Sequence, residues 1–357
     1  MTDNPTRIAF LGAGNIAGPY AESVARHPEL SLVGVFDVDA EKAAQLAAST
    51  GSVAYATLDE LAADAPEIVV NLSSAPYHYA TSLELIGRGL NVFSEKPLAL
   101  EPGQAAELVT AAQSAGVRLA CAPSIWLGRA QLAAAERVLS GAIGEVGLVK
   151  AEVNQGRIET WHPAPGSFYQ VGPVVDAGVY PITYLTAVLG PIREVSALSS
   201  MSVPDRVTLG GEAFRPHAND TWVVIATFES GTALTLTCNF FVDSATQPRT
   251  ITFHGASGSI ALDDWFLPGA GVREAAYGSP LTVALPADAG IEADWALGVA
   301  DLATAIRENR PHRNGSEHAA HVVDVLDAIR RSEAEGTRVG VTSSFPSPFS
   351  ALAHLNA

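Results

Sequence analysis

The chain has 357 residues, of which 48% are hydrophobic, and it carries a formal net charge of −17. This length exceeds what one ordinary core holds and predicts two domains, and the hydrophobic share excludes a disordered protein. The acidic balance argues against nucleic acid, anionic lipid and polyanionic substrates as partners. We therefore expect a two-domain globular protein that binds neither nucleic acid nor membrane.

The two cysteines, Cys121 and Cys238, each lie in an apolar, strand-like run. Two cysteines exclude a disulfide framework and predict reduced thiols in the core. The first residues lack the charged-then-apolar layout of a secretory signal, and no apolar run reaches the roughly 20 residues of a membrane helix. These features predict a cytoplasmic protein.

The first third of the chain alternates short apolar strands with helices. The predicted strands are residues 7–11, 30–36, 67–72, 91–94 and 117–122. The predicted helices between them are residues 16–27, 40–49, 77–88 and 102–115. Continuous apolar strands separated by helices indicate a doubly wound parallel sheet covered on both faces. Residues 1–123 are therefore predicted to form an α/β domain.

The pattern changes after residue 123. The predicted helices are residues 130–139, 173–189, 295–308 and 317–333, and the predicted strands are residues 146–154, 192–203, 221–228, 233–241, 250–254 and 259–262. Residues 204–219 and 268–286 are rich in Gly and Pro and are predicted loops. Successive strands with alternating β-branched residues indicate a large, mostly antiparallel open sheet with helices. Residues 124–357 thus form a predicted α+β domain for substrate binding and oligomerisation.

One face of that second sheet has few helices left to cover it. Residues such as Val223, Ile225, Leu234 and Leu236 would make a wide apolar surface if this face met water. Large exposed apolar surfaces are rare on soluble monomers. We expect this face to be buried in a homodimer or homotetramer.

A glycine-rich turn follows the first predicted strand. Gly12 permits the tight strand-to-helix turn, Gly14 lets the backbone approach a pyrophosphate, and Ala17 allows close helix–strand packing. Amide groups at the start of the next helix then point at the phosphates. The turn predicts a Rossmann-type dinucleotide site that includes Gly12, Gly14, Asn15 and Ile16.

Asp37 ends the second predicted strand, about 20 residues after the turn, where the dinucleotide fingerprint requires an acid. A carboxylate there accepts hydrogen bonds from a ribose 2′-OH and repels a 2′-phosphate, and no Arg or Lys follows before Lys42. The sequence therefore favours NAD over NADP. The alternative is a loop-facing acid beside Asp39, with no role in cofactor choice.

Two further groups of residues have the chemistry of a catalytic site. Lys96 follows a strand of the parallel sheet, whose carboxyl end faces the ligand crevice, and Pro97 would fix its backbone. Asp176 and Tyr180 are four apart in a predicted helix and so share a face. A carboxylate and a phenol near a lysine make a proton-transfer set, in which the ammonium favours the phenolate form. The spacing alone favours the alternative of an N-cap Asp and a core Tyr.

These motifs, in this order, resemble the glucose–fructose oxidoreductase / inositol dehydrogenase (Gfo/Idh/MocA) family over nearly the whole chain. The resemblance rests on Gly12-Ala-Gly14-Asn-Ile-Ala17, Asn71-Leu-Ser-Ser-Ala-Pro76-Tyr-His78, Glu95-Lys96-Pro97 and Asp176-x-Gly178-x-Tyr180. It implies that Lys96 binds the reacting hydroxyl near the nicotinamide, and that Asp176 and Tyr180 line the substrate pocket. It also implies a cofactor side formed by Ser73, Pro76, His78, Glu95 and Lys96.

Tyr180 resembles the glucose–fructose-oxidoreductase and dihydrodiol-dehydrogenase-like branch, since the other branch has His there. Gly172-Pro173 departs from the Gly-Gly pair of many relatives, and Pro181 follows the tyrosine directly. The resemblance therefore does not identify the substrate.

A polar and aromatic loop precedes the helix of Asp176. Its residues Arg157, Trp161 and His162 suit a sugar, because aromatic rings pack on C–H faces and polar groups bind hydroxyls. A surface loop with an anchoring tryptophan is the alternative. No spacing indicates a metal site, and His318 and His321 are predicted to lie on a solvated helix face.

Together these features predict an NAD(H)-dependent oxidoreductase that transfers hydride between the nicotinamide and a hydroxyl or carbonyl carbon of a sugar, polyol or related cyclic alcohol. Two alternatives remain open. One is an NAD-dependent lyase or glycosidase that uses transient oxidation, and the other is a non-catalytic cofactor-binding regulator.

Overall fold

A computed structural model describes residues 4–349 of the chain. These residues form two compact units. The first comprises residues 4–127, 294–323 and 344–349, and the second comprises Gly128–Ala293 and Asp324–Ser343. The predicted domains, residues 1–123 and 124–357, differ from this division because the chain returns to the first unit. Residues 1–3 and 350–357 of those domains lie outside the described part.

The elements are as follows. The strands are β1 (Thr6–Leu11), β2 (Leu30–Phe36), β3 (Val53–Ala54), β4 (Ile68–Asn71), β5 (Asn91–Ser94), β6 (Leu119–Cys121), β7 (Val146–Asn154), β8 (Ile192–Ser200), β9 (Arg206–Val207), β10 (Ala213–Phe214), β11 (Thr221–Phe228), β12 (Ala233–Asn239), β13 (Ile251–Gly255), β14 (Gly258–Leu262), β15 (Val272–Ala276), β16 (Thr282–Leu285) and β17 (Val339–Gly340). The helices are α1 (Ala17–Val24), α2 (Ala40–Thr50), α3 (Leu58–Ala63), α4 (His78–Gly87), α5 (Pro102–Ala115), α6 (Arg129–Leu139), α7 (Gly166–Pro173), α8 (Val179–Leu189), α9 (Leu297–Arg307) and α10 (Ser316–Glu335).

The first unit contains a parallel sheet in the order β3-β2-β1-β4-β5-β6. This is the strand order of doubly wound dinucleotide-binding sheets, in which the order reverses beside the first strand. The predicted parallel sheet is confirmed, strand by strand, for β1, β2, β4, β5 and β6. Strand β3 and helix α3 were not predicted, because two strand residues and six helix residues are too short for a periodic pattern.

Helix α9 belongs to the core of this first unit. Its residues Val299 and Leu302 are fully buried in one cluster with Phe10 and Phe93. A Cβ at Gly298 would lie 2.5 Å from the ring of Phe93, so only glycine permits this close packing. The burial of α9 explains why residues 294–323 belong with the first unit rather than with the predicted second domain.

The second unit contains a mixed sheet in the order β16-β15-β14-β13-β7-β12-β11-β8-β17. Its neighbouring strands pair antiparallel except β7 and β12, which are parallel. The predicted mostly antiparallel sheet is confirmed. The prediction of loops was wrong at two places: residues 204–219 contain β9 and β10, and residues 268–286 contain β15 and β16. These strands have two to five residues and lie outside the main sheet or in its last two positions, so their alternation is weak.

The two faces of this sheet differ in exposure. Leu234 and Leu236 are at most 1% exposed, whereas Val223 and Ile225 are 45% and 55% exposed. The register pairs Val223 with Thr237 and Ile225 with Thr235, so the leucines point to the opposite face. The prediction that all four share one open face was wrong for Leu234 and Leu236.

The prediction of a solvated histidine face on α10 was also wrong. His318 and His321 are 4% and 0% exposed, and the ring of Phe345 stacks on His318 with centroids 4.3 Å apart. Burial lowers the pKa of His318 to about 3, with a smaller contribution from His321. The chain after α10 covers this face. Cys121 and Cys238 are buried free thiols, as predicted, and burial raises the pKa of both.

Candidate active site

The glycine turn connects β1 to α1. Gly12 has a φ of 106°, and a Cβ at this position would lie 2.7 Å from the carbonyl carbon of Leu72, so glycine is required. A Cβ on Gly14 would meet no described atom within 4 Å, so the backbone borders open space. Asn15 and Ile16 complete the turn before α1 begins. Open backbone at a helix N-terminus fits a dinucleotide pyrophosphate.

The carboxylate of Asp37 lies beside this turn, directly after β2. Its Oδ2 accepts a hydrogen bond from the amide of Ala13 at 2.6 Å, and its Oδ1 accepts one from the amide of Asp39 at 2.8 Å. Each carboxylate oxygen can accept a further bond. The following residue, Val38, is 96% exposed. The two amide bonds therefore fix the carboxylate where the fingerprint expects the ribose to bind.

The loop after β4 is closed by internal hydrogen bonds. Oδ1 of the buried Asn71 accepts bonds from the amide and the hydroxyl of Ser73, at 3.2 and 2.7 Å. His78 is 2% exposed, and its ring nitrogens lie 2.7 Å from the carbonyl oxygen of Pro97 and 2.8 Å from that of Ser73. His78 thus bridges the loops that follow β4 and β5. Pro76, between these residues, is exposed.

Strand β5 leads into Glu95 and Lys96. One oxygen of the Glu95 carboxylate accepts a bond from the hydroxyl of Tyr20 at 2.7 Å, and the other accepts one from the amide of Lys96 at 3.0 Å. Tyr20 is fully buried on α1, with its ring centroid 6.5 Å from that of Phe93. Glu95 therefore connects the helix that follows the glycine turn to the backbone of Lys96, whose side chain is half-buried.

In the second unit, Asp176 and Tyr180 lie on a helical stretch that is not one α-helix. Gly172 has a φ of 77° and interrupts α7, and residues 174–178 then form a π turn that leads directly into α8. The prediction of a single helix over residues 173–189 was therefore wrong in its first turn. Bonds in a π turn close from i to i+5, so residues four apart remain on one side.

Aromatic packing holds the ring of Tyr180. The ring stacks on Trp265 with centroids 5.8 Å apart and an interplanar angle of 27°, and it meets the edge of Phe266 at 5.8 Å. A Cβ at Gly178 would lie 2.9 Å from Sγ of Cys238, so the glycine of the Asp-x-Gly-x-Tyr motif lets the helix approach β12. The position of the ring therefore depends on packing.

A cavity of about 600 Å³ lies beyond the carboxyl ends of β7 and β12. Because these neighbouring strands are parallel, the loops that follow them begin at the same edge of the sheet. Among its lining residues are Arg157, Trp161, Phe241, Asp243, Arg249 and Phe266. Trp161 and Phe241 are 54% and 46% exposed, so their rings are open to a ligand.

The predicted substrate loop is only partly at this cavity. Arg157 and Trp161 line it, whereas His162 is not a lining residue. Nδ1 of His162 lies 3.0 Å from the amide of Ala164 and accepts its hydrogen, which assigns the proton of the neutral ring to Nε2. The ring packs against Phe168 with centroids 4.9 Å apart.

Some site residues were missed from the sequence. Phe241 and Asp243 follow β12 and could have been found by the strand-end argument that identified Lys96. Arg249 pairs with Asp264 at 2.8 Å and stands over the ring of Phe266 at 5.0 Å, contacts for which the sequence offers no local signal. Tyr20 was missed because its partner Glu95 is distant in sequence.

Two features are absent from residues 4–349: a grouping of metal-binding side chains and a membrane-spanning helix. In this range no three His, Cys, Asp or Glu side chains are grouped so that they could hold a metal ion. In the same range no helix combines the length and the apolar composition that crossing a membrane requires.

Two family models match the chain. The model of the oxidoreductase family with an NAD-binding Rossmann fold matches residues 6–122, and that of the GFO/IDH/MocA C-terminal domain matches residues 132–261. The D-glucoside 3-dehydrogenase of Escherichia coli is 29% identical over 59% of this chain, which spans 62% of that enzyme. The trans-1,2-dihydrobenzene-1,2-diol dehydrogenase of Oryctolagus cuniculus is 25% identical over 71% of this chain and 74% of that enzyme.

A solved structure has the same fold. The WlbA dehydrogenase from Bordetella pertussis, in complex with NADH and UDP-GlcNAcA, aligns with a TM-score of 0.77 at 19% identity, over 95% of this chain and 99% of that one. The sequence matches agree with the predicted fold and family. The chain belongs to the Gfo/Idh/MocA family of NAD-binding oxidoreductases.

Proposed function

We propose that this protein is an NAD(H)-dependent dehydrogenase acting on a carbon-bound hydroxyl of a sugar, polyol or related cyclic alcohol. The observation that carries this proposal is the pair Asp176 and Tyr180, four residues apart, with the tyrosine ring packed on Trp265 and Phe266. Phe266 also lines the cavity that holds the exposed Trp161. Exposed aromatic rings beside polar groups are typical of carbohydrate sites.

Residues of the chain would accept the proton of the reacting hydroxyl and, in the reverse direction, return it. Bound NAD supplies the hydride acceptor. Tyr180 accepts the hydroxyl proton and is oriented by Asp176, and the ammonium of Lys96 binds the hydroxyl oxygen and favours its loss of a proton. In the reduction direction Tyr180 returns the proton to the carbonyl oxygen.

His162 is the competing candidate for the base. Its Nδ1 already accepts the amide hydrogen of Ala164, so Nε2 carries the proton of the neutral ring and has no lone pair to offer. To act as a base it would first have to break that bond and change tautomer. This argument favours Tyr180.

We also propose NAD rather than NADP as the cofactor. The Asp37 carboxylate, held beside the glycine turn by two amide bonds, would accept bonds from a ribose 2′-OH and repel a 2′-phosphate. Gly12, Gly14, Asn15 and Ile16 would hold the pyrophosphate. Ser73, Pro76, His78, Glu95 and Lys96 would form the nicotinamide side, with Glu95 and His78 acting through the backbone they hold.

The open sheet face supports a proposal of self-association. Leu198, Val223 and Ile225 are 74%, 45% and 55% exposed on neighbouring strands β8 and β11. We propose that a second copy of the chain covers this face, in a homodimer or homotetramer. Light scattering that shows a monomer at micromolar concentration would contradict it. The two buried free thiols support the proposal of a cytoplasmic location.

A substrate panel tests the function. The purified protein is incubated with NAD and a set of glucosides, polyols, uronic acids and cyclic trans-diols, and NADH is followed by its absorbance. We expect net NADH formation with at least one class, and a loss of about 10²-fold or more in Lys96→Met but not in the exposed control Lys42→Met. Bond cleavage without net NADH would instead support a lyase or glycosidase, and binding with neither would support a regulator.

A further inference from the structure

A buried arginine lies inside the second unit, on the segment between β8 and β11. The side chain of Arg206 is 0% exposed, and those of its partners Glu159 and Asp220 are 4% and 0% exposed. One guanidinium nitrogen donates to both oxygens of Glu159, at 2.9 and 3.0 Å, and another donates to Asp220 at 2.5 Å. One guanidinium thus forms buried ion pairs with two carboxylates.

Further bonds complete this cluster. Asp220 also accepts the amides of Ser202 and Val203, at 2.7 and 2.9 Å, and although burial opposes it, these bonds and Arg206 keep the pKa of Asp220 below its usual value. The hydroxyl of Tyr169 accepts from Arg206 at 2.6 Å and donates to Glu159. Burial, and then this bond to Glu159, raise the pKa of Tyr169, so the phenol stays protonated.

The cluster is connected to both loops that line the cavity. Glu159 lies between the lining residues Arg157 and Trp161. Arg206 also donates to the carbonyl oxygen of Phe240 at 3.3 Å, and the next residue, Phe241, lines the cavity from the other loop. The same guanidinium therefore bonds to both loops at positions next to their lining side chains.

A purely structural explanation does not account for this choice of residues. Replacing a buried ion pair by apolar packing of the same volume is often neutral or stabilising, because desolvation offsets the attraction. A guanidinium does provide direction, since its planar donors fix several acceptors relative to one another. The cluster is therefore suited to hold the two loops in one arrangement relative to each other.

We propose that Arg206 is a positioning residue that fixes both cavity loops and thereby sets the affinity for the alcohol substrate. The inference rests on the proposed function for its substrate. Lysine keeps the charge, but all its donors are on one nitrogen, whereas two separate nitrogens of Arg206 bond Glu159 on one side and Asp220 and the Phe240 carbonyl on the other. In Arg206→Lys we expect both loops to move, and the exposed rings of Trp161 and Phe241 to lose their relative position.

The experiment compares full-length Arg206→Lys with wild type and with Arg137→Lys. Arg137 is an arginine of the same unit that bonds Glu274 at 3.1 Å and does not line the cavity. Hydrogen exchange of residues 157–162 and 240–244 is measured without substrate, and KM and kcat are measured on the best alcohol of the panel. For Arg206→Lys we expect faster exchange in both segments, a KM for the alcohol raised about tenfold, and kcat and NAD affinity within about threefold of wild type.

Unchanged exchange, an unchanged KM for the alcohol, or equal effects in Arg137→Lys would each overturn the proposal. If Arg206→Lys fails to fold, Tyr169→Phe replaces it, because it deletes only the bridging hydroxyl and should loosen the same segments. If wild type turns over no alcohol, the proposed function fails. The change in exchange, together with the affinity of wild type and variant for the panel sugars by calorimetry, then decides the role of Arg206.

Discussion

The two units hold their functional loops in different ways. In the first, each loop is tied at a strand end by short hydrogen bonds between the motif residues themselves or to one nearby helix, as in Asp37 with Ala13 and Glu95 with Tyr20. In the second, the two cavity loops are held by hydrogen bonds from the buried Arg206, which belongs to no recognisable motif. Cofactor geometry is thus built into the motif, whereas cavity geometry depends on residues outside it.

The largest effect on kcat is expected at Tyr180, because the hydroxyl can be removed there while the packing of the ring is kept. Tyr180→Phe keeps the stacking on Trp265 and deletes only the hydroxyl. We expect kcat to fall by about 10²-fold or more, the alkaline rise in oxidation rate to disappear, and NAD affinity to stay unchanged. The matched variant is His162→Asn. If His162→Asn loses the pH profile and Tyr180→Phe keeps it, His162 is the base.

A smaller effect is expected at the cofactor loops. In Asp37→Ser combined with Val38→Arg, the carboxylate that repels a 2′-phosphate is replaced by a guanidinium that binds one. We expect the ratio of NADP to NAD affinity to rise by about tenfold or more, measured by calorimetry with both cofactors. The control is Asp39→Ser, which removes a neighbouring acid that caps α2. Wild-type binding of NADP as tight as that of NAD would refute the assignment of Asp37.

The next prediction concerns Tyr20, whose hydroxyl bonds the Glu95 carboxylate that in turn accepts the amide hydrogen of Lys96. Tyr20→Phe removes a bond to a buried carboxylate, which costs about 1.5–3 kcal/mol of stability. Because Glu95 then holds the Lys96 amide less firmly, we also expect kcat to fall about tenfold. Tyr55→Phe is the matched control, since Tyr55 donates a similar bond to Asp64 at 2.6 Å in the same unit. Equal kcat in the two variants would limit Tyr20 to a role in folding.

The smallest effect contrasts two histidines. A hydrogen bond to Asp294 raises the pKa of His27 above 6.5, although burial opposes it, and Glu29 adds to the rise. His27 therefore stabilises the first unit below its unfolded pKa, and this contribution is lost as the pH rises through its folded pKa. Burial, and to a smaller extent the charge of Lys150, lower the pKa of His254 in the second unit. The contribution of His254 to stability therefore increases as the pH rises, opposite to that of His27.

Urea unfolding at about pH 5.5 and about pH 8.5 tests this contrast. His27→Gln should lose more stability than His254→Gln at the lower pH, and the difference between the variants should shrink at the higher pH. The same pH dependence in both variants would show that neither shift governs stability.

The sequence predicted the parts whose signals are local. The parallel sheet was predicted from continuous apolar strands, each of which is recognisable within a few residues. The glycines of the turn and the acid at the end of β2 are equally local signals. The π turn was not predicted, because helical periodicity does not distinguish it from the first turn of α8. The burial of His318 and His321 depends on Phe345, in a separate segment, and Arg206 depends on partners in several other segments. Such contacts join residues that are distant in sequence, so local sequence patterns do not reveal them.

The return of the chain to the first unit has a consequence for biosynthesis. The core around Phe10 and Phe93 is complete only when Val299 and Leu302 pack against it, and these residues leave the ribosome after nearly the whole second unit. Folding by domains from the N-terminus is the usual order during synthesis. Here the first unit begins first, but its hydrophobic core stays incomplete in the nascent chain until all strands of the second sheet except β17 have been synthesised.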